Sequence, residues 1–108
     1  MKQGEVRWYP FEAPDKRRPV LILTRNSAIG FLRALTVAPV TTTIRGIPTE
    51  VLLTREDGMP SDCAVNLDNI QTVPKSKLGP LIGRLSLERM GEVQRAIRFA
   101  LGFDVIAY

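Results

Sequence analysis

The stretch Pro19-Val20-Leu21-Ile22-Leu23 constrains this chain more than any other. Four consecutive apolar residues opened by a proline are too few for a helix. They lack the alternation of a half-solvated strand, so they read as a strand covered on both faces. Proline is tolerated at a strand's first position. Such a strand needs neighbours, and the chain offers short ones. Glu5–Tyr9 alternates, with Val6 and Trp8 on one face. Leu35–Ala38 reads as a strand closed by Pro39, and Glu50–Thr54 as another. Cys63–Leu67 alternates, and Ile70–Val73 continues it past a kink at Asp68-Asn69. Asn26-Ser27 caps a short helical turn before Gly30, and Glu56–Pro60 is a turn cluster.

The C-terminal segment differs in kind. Ser86 is a good N-cap with Glu88 in the first turn. Leu87, Met90, Val93, Ile97 and Leu101 recur at helical spacing as one apolar stripe, and Gly102 fits a left-handed stop. The expectation is a mainly β fold with one C-terminal helix. Without repeats, low-complexity segments or a linker, residues 1–108 read as one domain.

Several function classes drop out on composition. No apolar run approaches the roughly 20 residues that span a bilayer, and the N-terminus has no signal-like stretch. A lone cysteine, Cys63, cannot build a disulfide framework. A cytoplasmic protein with no membrane contact is expected. The chain has no histidine, so imidazole is not its general base. With no second cysteine and no helical acidic pair at ligand spacing, no metal site is expected. Neither a P-loop nor a dinucleotide fingerprint occurs, so no cofactor is expected. Net charge is +4, unevenly spread: residues 1–55 hold nine Lys/Arg against four Asp/Glu, and residues 56–108 six against seven. The basic half would draw nucleic acid or an acidic protein, or simply be well solvated.

That half also carries the candidate chemistry. Arg18 offers a permanently charged, fork-shaped guanidinium at one end of the apolar strand. Pro39-Val40-Thr41-Thr42-Thr43 puts hydroxyls at the end of the next. Together they could hold a phosphate and stabilise charge growing on it. On spacing alone Arg18 reads first as a solvated charge at a strand end, and the threonines as good strand residues. Cys63 alternates with Val65 and reads as a packed, inert thiol. Trp8 reads as core, with a rim position for base stacking as the alternative. Asn66, Asp68 and Asn69 read as turn chemistry.

Taken in order, these residues resemble the MazF/PemK family of toxins, endoribonucleases of toxin–antitoxin systems. Gly4-Glu5-Val6-Arg7-Trp8 is similar to the family's opening strand, and Arg17-Arg18-Pro19-Val20-Leu21-Ile22-Leu23 to its Arg-Pro-Val strand. Ala38-Pro39-Val40-Thr41 is similar to its Pro-Leu/Val-Thr segment. Ser61–Asn66 through Ile70–Val73 resembles the part before the closing strand. Ile82–Ser86 and the helix ending Leu101-Gly102 resemble its end. Each motif is short, but five in order with compatible gaps are specific.

The resemblance implies a small, strongly bent SH3-like antiparallel barrel of CcdB/PemK type with a C-terminal α-helix, forming a homodimer. It implies metal-independent cleavage of single-stranded RNA, with Arg18 and Thr41 catalytic. The RNA groove would draw on Trp8, Phe11, Glu12, Lys16, Arg17, Arg25, Thr42, Thr43, Arg45 and Asn66. An acidic MazE-like antitoxin would neutralise it. The loop before Arg18, Pro10–Lys16, departs from the family's longer glycine-containing loop, and Glu12 and Asp15 are the nearby carboxylates. The alternatives are a non-catalytic toxin on the same fold, such as a CcdB-like gyrase poison, and an inactive RNA- or protein-binding barrel. Against the gyrase poison, the chain ends Val105-Ile106-Ala107-Tyr108, without that relative's Trp-Gly-Ile ending.

Overall fold

The computed structural model describes residues 1–11 and 17–104. It contains seven strands in one strongly curled antiparallel sheet: β1 (Glu5–Pro10), β2 (Arg17–Ile22), β3 (Ala34–Thr41), β4 (Glu50–Leu53), β5 (Cys63–Asn66), β6 (Gln71–Pro74) and β7 (Leu81–Arg84). A short helix α1 (Asn26–Ile29) links β2 to β3, and α2 (Leu87–Ala100) follows β7. The order is β4-β5-β3-β2-β1-β7, with β6 also on β3. Among the described residues no helix is long and apolar enough to cross a membrane.

The apolar run behaves as its composition requires. Leu21 enters a core shared with Ala38, Val40, Leu53, Val65 and Val93. Val20 and Ile22 enter a second core with Ile29, Leu35, Val37 and Val73. Both faces of β2 are thus buried.

Pro39 does not close its strand. β3 runs on to Thr41, pairing β6 over Ala34–Val37 and β5 over Val40–Thr41. Pro39 lies between those two partners, where no strand on that side needs its missing N–H. The kink at Asp68-Asn69 is real, a 3-10 turn over Leu67–Asn69 that delivers β5 and β6 to different parts of β3. Asn26 does not cap α1. The cap position is Arg25, with no side-chain bond, and Asn26 Oδ1 instead accepts from Gln3 N–H at 2.7 Å.

Strand β7 has no sequence signal, since Gly79, Pro80 and Gly83 break its pattern. Gly83 is needed there: a Cβ would stand 3.2 Å from the Asp57 carbonyl oxygen and 3.3 Å from Met59 Cε. Ser86 caps α2 by accepting from Arg89 N–H at 3.1 Å, and Gly102 takes φ +75° beyond its end. The buried side of α2 centres on Val93 and Ala96, with Met90, Ile97 and Ala100 packed against the core. Leu87 and Leu101 are exposed, so the stripe is shorter than the periodicity suggests. Core-facing positions run from Met90 to Ala100, and the two ends of the stripe lie beyond the core.

Asp57 locks the helix to the sheet. Its Oδ2 accepts from Thr54 N–H at 2.9 Å and its Oδ1 from Arg89 Nε at 3.0 Å. Burial pushes this carboxyl up, but the Thr54 amide and the Arg89 guanidinium outweigh it and hold the group below the usual carboxylate range. The unfolded chain therefore binds this proton more tightly, so the contribution is full above pH ~4 and fades as pH falls below it. Asp57→Asn keeps an acceptor but loses the charge. It is expected to cost about 1–2 kcal/mol at pH 7, with the gap to wild type narrowing near pH 3 in urea titrations.

Candidate functional site

The register of β2 on β3 sets the site. Val20 pairs with Pro39 and Leu21 with Ala38. Carried two residues further, the same register brings Arg18 level with Thr41. Both do line one hollow of about 320 Å³, with Trp8, Arg17, Thr42 and Thr43. Its lining is completed by Met59, Pro60 and Ser61, from the turn before β5, and by Cys63 at the start of that strand. Six candidates from distant parts of the sequence are thus assembled by three strands.

Trp8 is not a core residue. It is half-buried at the hollow's edge, and the Arg17 guanidinium carbon lies 4.5 Å from its ring centroid. Arg17 is opposite Pro10 across the β1–β2 ladder, and Trp8 opposite Pro19. The stacked pair presents a flat cationic plane at the rim. Thr41 Oγ1 accepts from Thr43 N–H at 3.1 Å. A hydroxyl keeps its own hydrogen when it accepts, so Thr41 retains a donor for a ligand oxygen. Thr42 and Thr43 are exposed beside it.

Phe11 stands off this hollow. Its ring meets Tyr9 edge-on at 4.9 Å, and it lines a neighbouring depression with Arg18, Pro39 and Asn69. Arg18 therefore borders both. Three further candidates lie outside the two depressions. Asn66 Oδ1 accepts from Asp68 N–H at 3.0 Å, the local turn bond its sequence context suggests. Arg45 sits in the exposed β3–β4 loop, held through its backbone N–H by Glu50 Oε1 at 2.9 Å. Arg25 lies beyond the opposite end of β2, before α1. Glu12 and Lys16, with Asp15, lie outside the described residues.

Sequence reasoning gave no site role to Met59, Pro60, Ser61 and Cys63, because only the pairing of β5 with β3 brings them to the hollow. Cys63 is 5% exposed. Burial pushes its thiol up, and the nearby Asp57 and Asp62 charges push it further. A neutral thiol is a poor nucleophile. Cys63 is therefore expected to react with a disulfide reagent at pH 8 far more slowly in the native protein than in urea, read as the absorbance of released thiolate. Glu5 is also buried, and was not expected to be. Its carboxylate accepts from Arg7 Nε at 2.8 Å, with Arg84 at 3.5 Å. Burial raises its pKa, but Arg7 and a Lys2 backbone bond lower it more. This cluster braces β1 against β7 away from the hollow.

Among the described residues no three acidic or cysteine side chains converge as a metal-ligand set. The site can bind an anion through guanidinium and hydroxyl donors, beside a surface for stacking.

Comparison with known proteins gives the family. Residues 2–101 match the family described as PemK-like, MazF-like toxin of type II toxin-antitoxin system. The chain is 40% identical over 103 residues to the probable endoribonuclease MazF2 of Mycobacterium tuberculosis, covering 94% of this chain and 99% of that protein. It is 43% identical over 100 residues to the probable endoribonuclease MazF5 of the same organism, covering 92% and 91%. The solved Mycobacterium tuberculosis toxin MazF-mt6 superposes with a TM-score of 0.83 at 39% identity, covering 95% and 99%. A mycobacterial endoribonuclease solved with its cognate antitoxin gives 0.84 at 28% identity, covering 100% and 98%.

Proposed function

This chain belongs to the PemK/MazF family of toxins of type II toxin–antitoxin systems, and on that premise we propose that it is an endoribonuclease that cuts single-stranded RNA at the Arg18–Thr41 hollow. The observation that carries the reading is the meeting of a guanidinium, a cluster of hydroxyls and a stacked Trp8–Arg17 rim in one depression.

RNA supplies its own nucleophile. The 2′-oxygen attacks the adjacent phosphorus in line, forming a 2′-O–P bond as the bond to the 5′-oxygen breaks. A proton leaves the 2′-hydroxyl and one arrives on the 5′-oxygen. The products are a 2′,3′-cyclic phosphate and a 5′-hydroxyl, and DNA, without the 2′-hydroxyl, resists. Arg18 binds the phosphate and offsets the charge building on its oxygens. Thr41 donates to a non-bridging oxygen. Arg17 covers one face of Trp8, so a flanking base stacks on the guanidinium plane. Guanidinium and hydroxyl donors do this work without a metal.

The protein acts as a cytoplasmic homodimer in this reading. An antitoxin with an acidic, flexible tail binds the basic groove, ordering as it binds. The alternative of an inactive barrel lacks a reason for Arg18 and Thr41 to share a hollow. The test is incubation of the purified protein with a mixed RNA pool in excess EDTA, followed by mapping of the new ends. Cuts bearing cyclic phosphate and 5′-hydroxyl termini are expected. Loss of all cutting in EDTA, or cutting of 2′-deoxy substrates, would overturn the mechanism.

A further inference from the structure

The opposite end of the β2–β3 pair carries a second basic surface that the cleavage hollow does not use. The chain segments 1–4, 22–34 and 74–80 meet there and hold five Lys/Arg and no Asp or Glu. The meeting is shown by hydrogen bonds. Lys75 N–H donates to the Arg33 carbonyl at 2.8 Å, and Lys75 Nζ to the Ile29 carbonyl at 2.8 Å. Gln3 Nε2 donates to the Leu23 carbonyl at 2.9 Å. Ile29, Arg33, Lys75 and Leu78 line a wide hollow of about 860 Å³ between these segments. Arg25 precedes α1 and Lys77 follows in the turn Lys75–Lys77. Within the described residues neither these two nor Arg33 form an ion pair.

The same segment carries an exposed aromatic ring. Phe31, between Arg25 and Arg33 in the sequence, is 69% exposed. Cations around an exposed aromatic are what a single strand needs, since phosphates pair with the charges and a base stacks on the ring.

We infer that this end, formed by Arg25, Phe31, Arg33 and Lys77, is a second contact surface for the backbone of the RNA being cut. The inference rests on the reading of RNA as substrate. The two surfaces flank β3, whose eight residues put them about 23 Å apart at ~3.3 Å per residue. A long RNA reaches both, whereas a short oligonucleotide seated at Arg18 and Thr41 does not. Long RNA thus gains affinity that does not depend on the sequence at the cut.

The test uses uncleavable 2′-O-methyl RNA, so that binding is read separately from cutting. Long and short strands are titrated by fluorescence anisotropy against wild type, Phe31→Ala, and a triple variant carrying Arg25→Gln, Arg33→Gln and Lys77→Gln. Lys75 is kept because it holds the Ile29 carbonyl. The triple variant is expected to bind long RNA at least about tenfold more weakly, with the slope of log K against log salt falling by about 2. Short-strand binding should stay unchanged. Phe31→Ala should weaken long-strand binding at least about fivefold with the salt slope preserved. Equal effects on long and short strands, or none on either, would overturn the inference. So would a triple variant that binds both RNAs normally but loses the neighbouring antitoxin, which would give the surface to an acidic protein. If wild type cuts no RNA yet shows the long-strand preference and its loss in the variants, the binding surface stands and the cleavage reading alone falls.

Discussion

Arg18→Ala is expected to slow RNA cleavage by about a hundred- to a thousandfold while leaving the fold intact, the usual loss on removing one electrostatic donor to a transition state. The side chain is exposed at the start of β2, so its removal opens no space in either core. Arg18→Lys should also be poor. An ammonium keeps the charge but cannot present two parallel N–H donors to a phosphate. Thr41→Ala should lose activity on the same scale, because it removes the donor that Thr43's amide helps to orient. The measurement is the single-turnover rate on an RNA containing the mapped cut site, with urea midpoints as the folding control. Near-normal rates for both alanine variants would leave the hollow intact and remove its assigned chemistry.

The pairing of Arg18 with Thr41 was legible because it depends on local facts. An apolar run fixes the strand, Arg-Pro fixes its start, and Pro-Val-Thr stands at the end of the next strand. An antiparallel pair with that connection brings the two ends together. The far wall of the hollow was not legible. Met59 to Cys63 reach it because β5 pairs with β3 and sets Ala64 opposite Thr41, a contact between positions 23 residues apart that leaves no local periodicity. Trp8 was misjudged for a related reason. Alternation puts it on the face of Val6, and the unbroken β1–β2 ladder keeps it there, but it lies opposite Pro19 near the strand end, beside the hollow rather than the core. Glu5 shows the converse, a buried charge whose partner Arg7 is local but whose second partner, Arg84, is brought to it only by the pairing of β1 with β7.

The helix offers the sharpest separation between pattern and structure. Leu87 and Val93 belong to one periodic stripe, yet Leu87 is 92% exposed and Val93 1%. Leu87→Asp is expected to change stability by no more than about 0.5 kcal/mol. It places an acid in the first turn of α2, where the helix dipole favours it. Val93→Asp forces a carboxyl into the core shared with Leu21, Leu53 and Val65. Such burial raises a carboxyl's pKa by about 3–5 units, and each unit is worth about 1.4 kcal/mol. At pH 7 the cost is therefore about 4 kcal/mol or more, a large share of the 5–15 kcal/mol that holds a typical domain together. The sign of the pH dependence identifies the cause. A folded-state pKa above the unfolded value penalises folding most at high pH, so this loss should shrink as pH falls toward ~4. A loss from poorer packing alone would not vary with pH. Urea unfolding followed by far-UV circular dichroism at pH 7 and pH 4 reads both substitutions. If Val93→Asp were as well tolerated as Leu87→Asp, α2 would not pack on the sheet through its middle turns.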